Sequence, residues 1–200
     1  MKKSFGIIGS GNIGQAVAKH LVKAGYPVIM SNSRGPESVR DVVKSLGEGA
    51  KAGSVRDAVK ADVVLLSLPW TQASSLTKAA DWKNKLVIDA TNHFIRHAPD
   101  YQLADLHGKA SSQIVAEHLP GASVVKAFNT LNFKILGQDP NQSGGRRVLF
   151  ISGDDAPSKS VVAEVIKELG FAVVDLGDLA NGSEFQQAKG PLATLNLIQL

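Results

Sequence analysis

The apolar run Ser4-Phe5-Gly6-Ile7-Ile8 leads without a break into Gly9-Ser10-Gly11-Asn12-Ile13-Gly14, which opens a segment of helical periodicity. Three glycines at this spacing, between a strand and a helix, read as the first βα turn of a dinucleotide-binding sheet. Gly9 makes the tight turn, Gly11 lets the backbone approach a pyrophosphate, and Gly14 lets helix and strand pack closely. The helix N-terminus, starting at Asn12 and Ile13, offers unpaired N–H groups and a partial positive charge to phosphate, with Ser10 beside them.

The rest of the chain supports a repeating βα succession. Strand candidates are Ser4–Ile8, Pro27–Ser31, Val63–Leu68, Leu86–Asp89, Val124–Phe128, Val148–Ser152 and Ala172–Asp175. Several are apolar on both faces, as expected of strands covered by helices on both sides. Ile13, Ala16, Val17 and Leu21 recur at helical spacing up to Gly25, and Val39, Val42, Val43 and Leu46 do so up to Gly47. A third helix is expected after Asp154-Asp155, with Pro157 in its first turn and Gly170 at its end. The expected fold is α/β, a Rossmann-type doubly wound, mostly parallel sheet. Residues 1–134 form its dinucleotide-binding core, and 135–200 a small C-terminal α/β addition completing the same compact unit. Residues 93–110 read as polar and irregular, 137–147 as an exposed loop, and 192–200 as either a last core helix or a subunit contact.

Composition narrows the chemistry. No cysteine is present, which excludes disulfide scaffolds, thiolate metal sites and cysteine nucleophiles. Residues 1–134 carry 17 Lys/Arg against 10 Asp/Glu, whereas 135–200 carry 5 against 8, so the first two-thirds prefer anions. The lysines are scattered and aromatics are only 6%, which disfavours nucleic acid and favours a small phosphorylated ligand. No apolar run reaches the ~20 residues of a membrane span, and the N-terminal apolar stretch is too short for a signal peptide. A soluble, cytoplasmic protein without membrane contact is expected.

The end of the second strand distinguishes NAD from NADP, because a carboxylate there binds ribose hydroxyls and repels a 2′-phosphate. The residues are Asn32-Ser33-Arg34, and no acid occurs before Glu37. Arg34 can pair with the phosphate through its fork of donors while Asn32 and Ser33 donate beside it, so NADP(H) is the expected cofactor and 1–134 its binding core. In such sheets the nicotinamide lies beyond the carboxyl ends of the later strands. Three turns qualify: Leu68 to Gln72, where Pro69 can stiffen the turn, Asp89 to His93, and Ala127 to Thr130. Asn92 and Asn129 can orient the carboxamide and ribose. His93 and His97 are four residues apart, but no carboxylate cluster completes a ligand set, and a solvated loop is expected there. His20, within the first helix, is expected to be structural.

Neither Tyr26 nor Tyr101 is followed by Lys four residues later, so the Tyr–Lys pair of short-chain dehydrogenases is missing. The ~50–60 residues after the sixth strand cannot hold the large helical domain of β-hydroxyacid dehydrogenases. Without an evident acid or base, the economical chemistry is hydride transfer between NADP(H) and a second redox carrier, where positioning does most of the work.

Gly-Ser-Gly-Asn-Ile-Gly at 9–14, Asn-Ser-Arg at 32–34, Leu-Pro-Trp at 68–70, Val-Val-Lys-Ala-Phe-Asn-Thr at 124–130, Gly-Asp-Asp at 153–155 and Val-Asp-Leu-Gly at 174–177 together resemble the coenzyme F420-dependent NADP oxidoreductase family. The resemblance covers nearly the whole chain. It implies hydride transfer between nicotinamide C4 and deazaflavin C5. It places the pyrophosphate on Ser10 to Ile13 and the 2′-phosphate on Ser33 and Arg34, with a further phosphate contact at Ser38. Leu68, Gln72, Asn92 and Ala127 match positions around the ribose and nicotinamide. F420 reductases of the family typically continue into a glycine-containing tail that helps hold the deazaflavin, whereas this sequence stops at Leu200, so that half of the site is expected to be incomplete.

Two other readings therefore stand beside F420. One is an NADPH-dependent reductase of a flavin, a quinone, a ferric-flavin system or a small carbonyl or imine compound. The other is a non-catalytic NADP-binding sensor, in which the nucleotide shifts a binding equilibrium. The expected partner is a small-molecule redox acceptor, and the small C-terminal addition leaves an active-site face that a second copy can cover, as in a homodimer.

Overall fold

The computed structural model describes residues 2–142 and 144–200. The chain runs through β1 (Phe5–Ile8), α1 (Asn12–Lys23), β2 (Val28–Ser31), a 3-10 turn (Pro36–Val39), α2 (Arg40–Leu46), β3 (Ala50–Ala52), α3 (Val55–Val59) and β4 (Val63–Leu66). A 3-10 segment (Trp70–Lys78) follows, then β5 (Leu86–Asp89), a hairpin of β6 (Phe94–Arg96) and β7 (Gln102–Leu103), α4 (Ser111–Glu117), β8 (Ser123–Lys126) and α5 (Phe133–Leu136). The last part comprises β9 (Asn141–Gln142), β10 (Gly145–Gly153), α6 (Ala156–Glu168), β11 (Ala172–Asp175), α7 (Leu179–Gln186) and β12 (Ile198–Gln199).

Six strands form a parallel sheet in the order β3-β2-β1-β4-β5-β8. This is the Rossmann order, with its switch point between β1 and β4. β10 extends the sheet antiparallel to β8, and β11 lies parallel to β10. Because side chains alternate along a strand, the apolar runs feed two cores. Phe5, Ile7, Met30, Leu65 and Ile88 pack on one face with Val17, Leu21, Val162 and Ile166 of α1 and α6. Ile8, Val64, Leu66 and Val87 pack on the other with Ala58 of α3, Val115 of α4 and Leu119 just past α4.

Tertiary pairing overrides the local reading in four places. β3 has the sequence Ala-Lys-Ala, without β-branched residues, and forms because β2 offers it an edge. Residues 93–110 contain the β6–β7 hairpin. The expected loop at 137–147 contains β9 and the start of β10, and Arg147 is only 5% exposed, donating to Asn196 Oδ1 (2.6 Å) and Gln138 Oε1 (3.0 Å). Residues 192–200 form no helix; turns lead into β12, which pairs antiparallel with β10. Among the described residues, no helix is long and apolar enough to cross a membrane.

His20 is structural, as expected. Its Nε2 lies 2.7 Å from the Leu136 carbonyl, so it carries the proton and donates, and its ring packs edge-on against Phe171. Burial lowers its pKa below the ordinary 6.5. The imidazole is thus neutral in the fold, while the unfolded chain takes up a proton below about pH 6.5. Stability is full above that value and falls as the pH drops from it towards the folded-state pKa. Urea midpoints measured between pH 7.5 and 5.5 should fall, at no more than about 1.4 kcal/mol per pH unit for this one proton. His20→Asn should flatten the slope. An unchanged slope in that variant would remove His20 from the acid response.

Candidate functional site

At the switch point, the end of β1 and the turn after β4 touch back to back. Gly9 has φ +113°, and a Cβ there would sit 2.0 Å from the Ser67 carbonyl oxygen. A Cβ on Gly14 would meet the Gly9 carbonyl oxygen at 2.6 Å. A Cβ on Gly11, by contrast, would meet nothing within 4 Å. Gly11 is the N-cap of α1; it supplies no side-chain cap, and the first turn holds no acid. Gln15 Nε2 donates to the Ser10 carbonyl (2.8 Å), so α1 itself takes up that acceptor. An uncapped helix start beside open space fits a phosphate.

The turn after β2 faces the same space. Asn32 Nδ2 donates to Ser10 Oγ (3.0 Å), and Asn32 Oδ1 accepts from the Arg34 amide (2.8 Å) and the Ser38 hydroxyl (2.8 Å). Asn32 and Ser38 therefore brace the turn. Arg34 makes no ion pair among the described residues, while Glu37, the nearest acid in sequence, pairs with Arg40 at 2.8 Å. Gly9, Ser10, Gly11, Asn32, Ser33, Arg34, Leu68, Pro69 and Gln72 line one cleft of about 540 Å³.

A second cleft of about 310 Å³ shares Gly11, Leu68 and Pro69 with the first and adds Asn12, Ile13, Thr91, Asn92 and His97. It continues through Ile13, Asn92, Phe94 and Phe133 into a groove of about 680 Å³ between the β6–β7 hairpin and residues 188–194. The three clefts form one trough across the carboxyl ends of β2, β1, β4, β5 and β8. Three expected residues lie off it, the first being Ser38, whose hydroxyl is turned to Asn32 Oδ1 (2.8 Å) and the Gly35 carbonyl (2.7 Å) within its own turn. Gly14 is buried under the loop, and Ala127 is fully buried, its amide donating to the Asp89 carbonyl (3.1 Å).

Below the trough lies a polar layer that the sequence reading missed. Asp89 and Lys126 end β5 and β8 in matched register, and neither side chain is exposed. Lys126 Nζ donates to Asp89 Oδ2 (3.3 Å) and the Thr91 carbonyl (3.2 Å), and Ser112 Oγ and the Thr91 amide donate to the same carboxylate. A charge closing an otherwise apolar strand was the available signal. His93 is not in a solvated loop but 4% exposed, edge-on to Trp70. Burial, with a smaller push from the Lys126 charge, lowers its pKa and keeps it neutral at pH 7. Phe128, just past β8, is buried with φ +64°, a conformation costing about 1–2 kcal/mol for a non-glycine residue. Such strain is characteristic of functional turns.

Residues 4–93 match the family model for coenzyme F420-dependent NADP oxidoreductases. The chain is 31% identical over 183 residues to Metalloreductase STEAP3 of Rattus norvegicus, an alignment covering 90% of this chain and 35% of that protein. It thus spans about a third of the length of the curated relatives it matches. The structure of a hypothetical protein from Sinorhizobium meliloti superposes with a TM-score of 0.92 at 43% identity, covering 100% of this chain and 97% of that one. A candidate F420-dependent NADP-reductase from Arthrobacter sp. FB24 gives a TM-score of 0.76 at 24% identity, covering 89% and 86%, and supports the fold.

Proposed function

We propose that the chain is a member of the coenzyme F420-dependent NADP oxidoreductase family, whose model matches residues 4–93, and that it binds NADP(H) along the trough and passes hydride to a planar redox carrier of the deazaflavin type. The observation that carries this reading is the continuity of the phosphate cleft at Gly9–Ile13 with the groove at Asn92, Phe94 and Phe133. When bound, NADPH supplies the hydride. The glycine loop and the start of α1 hold the pyrophosphate, and Ser33 and Arg34 hold the 2′-phosphate. Leu68, Pro69 and Ile13 wall the space between them and keep water from it. Among the described residues, Tyr101 and Lys189 are the ionisable side chains lining the groove, and hydride transfer needs no proton from them, so the protein's proposed contribution is positioning.

A flavin acceptor, free or serving ferric reduction, is the second reading, favoured by the similarity to a metalloreductase. Anaerobic oxidation of NADPH by the purified protein, with F420 and FMN as parallel acceptors and NADH as control donor, tests both. NADPH-specific reduction of F420 supports the first reading, and reduction of FMN alone supports the second. Tight NADPH binding without turnover with any flavin, deazaflavin, quinone or imine would favour a sensor.

Arg34 should set donor choice. Losing one charge-assisted contact costs about 1.5–3 kcal/mol, so Arg34→Ala should lower the NADPH/NADH affinity ratio about 10- to 150-fold. Titration of both nucleotides checks it; an unchanged ratio would exclude Arg34 from the 2′-phosphate site.

A further inference from the structure

A chain of three amides connects the C-terminal unit to the trough. Gln186 of α7 is fully buried, and its side chain is fully committed. Its Oε1 accepts from Ser152 Oγ (2.6 Å), and its Nε2 donates to the carbonyls of Phe150 (3.0 Å) and Lys126 (3.4 Å). Its backbone carbonyl accepts from Asn129 Nδ2 at 2.7 Å. A carbonyl only accepts, so this contact decides which end of the Asn129 amide is nitrogen.

Asn129 Nδ2 also donates to Asn92 Oδ1 (3.1 Å), while Asn92 Nδ2 donates to the Asn129 carbonyl (3.3 Å). Turning the Asn92 amide over would set donor against donor and acceptor against acceptor. At the other end of the Asn129 amide, Oδ1 is buried with no partner among the described residues, so this orientation leaves one acceptor desolvated. The reverse orientation would be worse, because it would press the oxygen against two acceptors, the Gln186 carbonyl and Asn92 Oδ1. Asn92 is half-buried and lines both the second cleft and the groove, where the nicotinamide of a bound dinucleotide lies in this fold. After its bonds to Asn129, it keeps one N–H and one Oδ1 lone pair to offer a ligand.

We propose that Asn129, pinned by Gln186, is a positioning residue that holds the Asn92 amide in one orientation, so that Asn92 Oδ1 accepts from the NH2 of the nicotinamide carboxamide. This rests on the NADP(H) reading above. The C-terminal unit thereby sets the pose of the dihydronicotinamide as well as walling the acceptor groove.

The test measures binding and needs no acceptor. The probes are NADPH and reduced 3-acetylpyridine adenine dinucleotide phosphate, which keeps the ring carbonyl and replaces the NH2 by a methyl group. The wild-type protein should bind NADPH roughly fivefold or more tightly than the analogue, as expected for one net hydrogen bond. Asn129→Asp presents an acceptor where Asn92 needs a donor and should bring the ratio below about twofold, with affinity for the analogue changing less than about threefold. Asn129→Ser, which keeps a donor but is too short to hold Asn92, should do the same and replaces the first variant if that one does not fold. An unchanged ratio in the folded variant, even with both affinities weakened in parallel, overturns the positioning role. A wild-type ratio near one overturns the carboxamide contact. Failure of the wild-type protein to bind NADPH at all would overturn the NADP(H) reading itself, and this inference with it.

Discussion

Lys126→Met should lower the unfolding free energy by about 3–5 kcal/mol, the usual consequence of removing one partner of a buried ion pair. Neither Lys126 nor Asp89 has any exposed side-chain surface, so the carboxylate left behind has no water to replace the lost cation. Ser112 Oγ and the Thr91 amide still donate to it, but neither carries charge. Asp89→Asn combined with Lys126→Met should recover at least half of the loss. The side-chain amide keeps an acceptor for Thr91 and no longer needs a counter-charge, and methionine fills most of the lysine volume. Urea denaturation of the wild-type, single and double variants checks both statements. A single-variant loss below about 1 kcal/mol would mean that the pair is solvated or dispensable.

The pair also lies directly beneath the turn that carries Asn92. Lys126 Nζ holds the Thr91 carbonyl and Asp89 holds the Thr91 amide, so the backbone entering Asn92 is fixed from below while Asn129 fixes its side chain. Two buried layers thus converge on one amide at the trough. Removing one member of such a network leaves its buried partners without a counterpart in a low-dielectric surrounding, which is why one substitution is expected to cost so much.

What was legible in the sequence was what local chemistry encodes. The glycine loop, the stripes of α1 and α6 and the apolar strands on either side of the switch point follow from periodicity and turn residues, and they fix the phosphate end of the trough. Asp89 and Lys126 are 37 residues apart and meet only because β5 and β8 pair in register. Asn92, Asn129 and Gln186 come from three turns or elements, and nothing in their spacing says that a carbonyl of α7 decides the orientation of an amide after β5. His93 reads as a loop residue because 93–110 shows no regular periodicity; the fold buries it beside Trp70 and the β6–β7 hairpin. β3, β9 and β12 form against edges supplied by other strands, so their own residues carry little signal.

Gly9→Ala and Gly11→Ala should separate folding from binding at the phosphate loop, although both add a single methyl group. At Gly9 the methyl group has no room. The backbone is at φ +113°, which an L-residue rarely adopts, and the new Cβ would lie 2.0 Å from the Ser67 carbonyl oxygen. Strain at such a φ and overpacking each cost about 1–3 kcal/mol, for a combined loss of about 2–6 kcal/mol. Relief requires the loop to lift from the β4 turn, which would move the amides of residues 10–13 away from the pyrophosphate and weaken NADPH binding as well. At Gly11 the backbone is extended, with φ −75°, and the Cβ would meet no protein atom. Its cost to the fold is limited to a poorer N-cap, about 1 kcal/mol. The methyl group would instead occupy the cleft between the uncapped helix start and the ligand. Gly11→Ala should therefore weaken NADPH binding by an order of magnitude or more, since displaced charge-assisted contacts cost about 1.5–3 kcal/mol, at nearly wild-type stability. Urea midpoints and NADPH titrations on both variants decide it. Equal affinity in Gly11→Ala and wild-type protein would mean that the dinucleotide does not approach the backbone at this turn, and the phosphate site would have to be sought elsewhere in the trough.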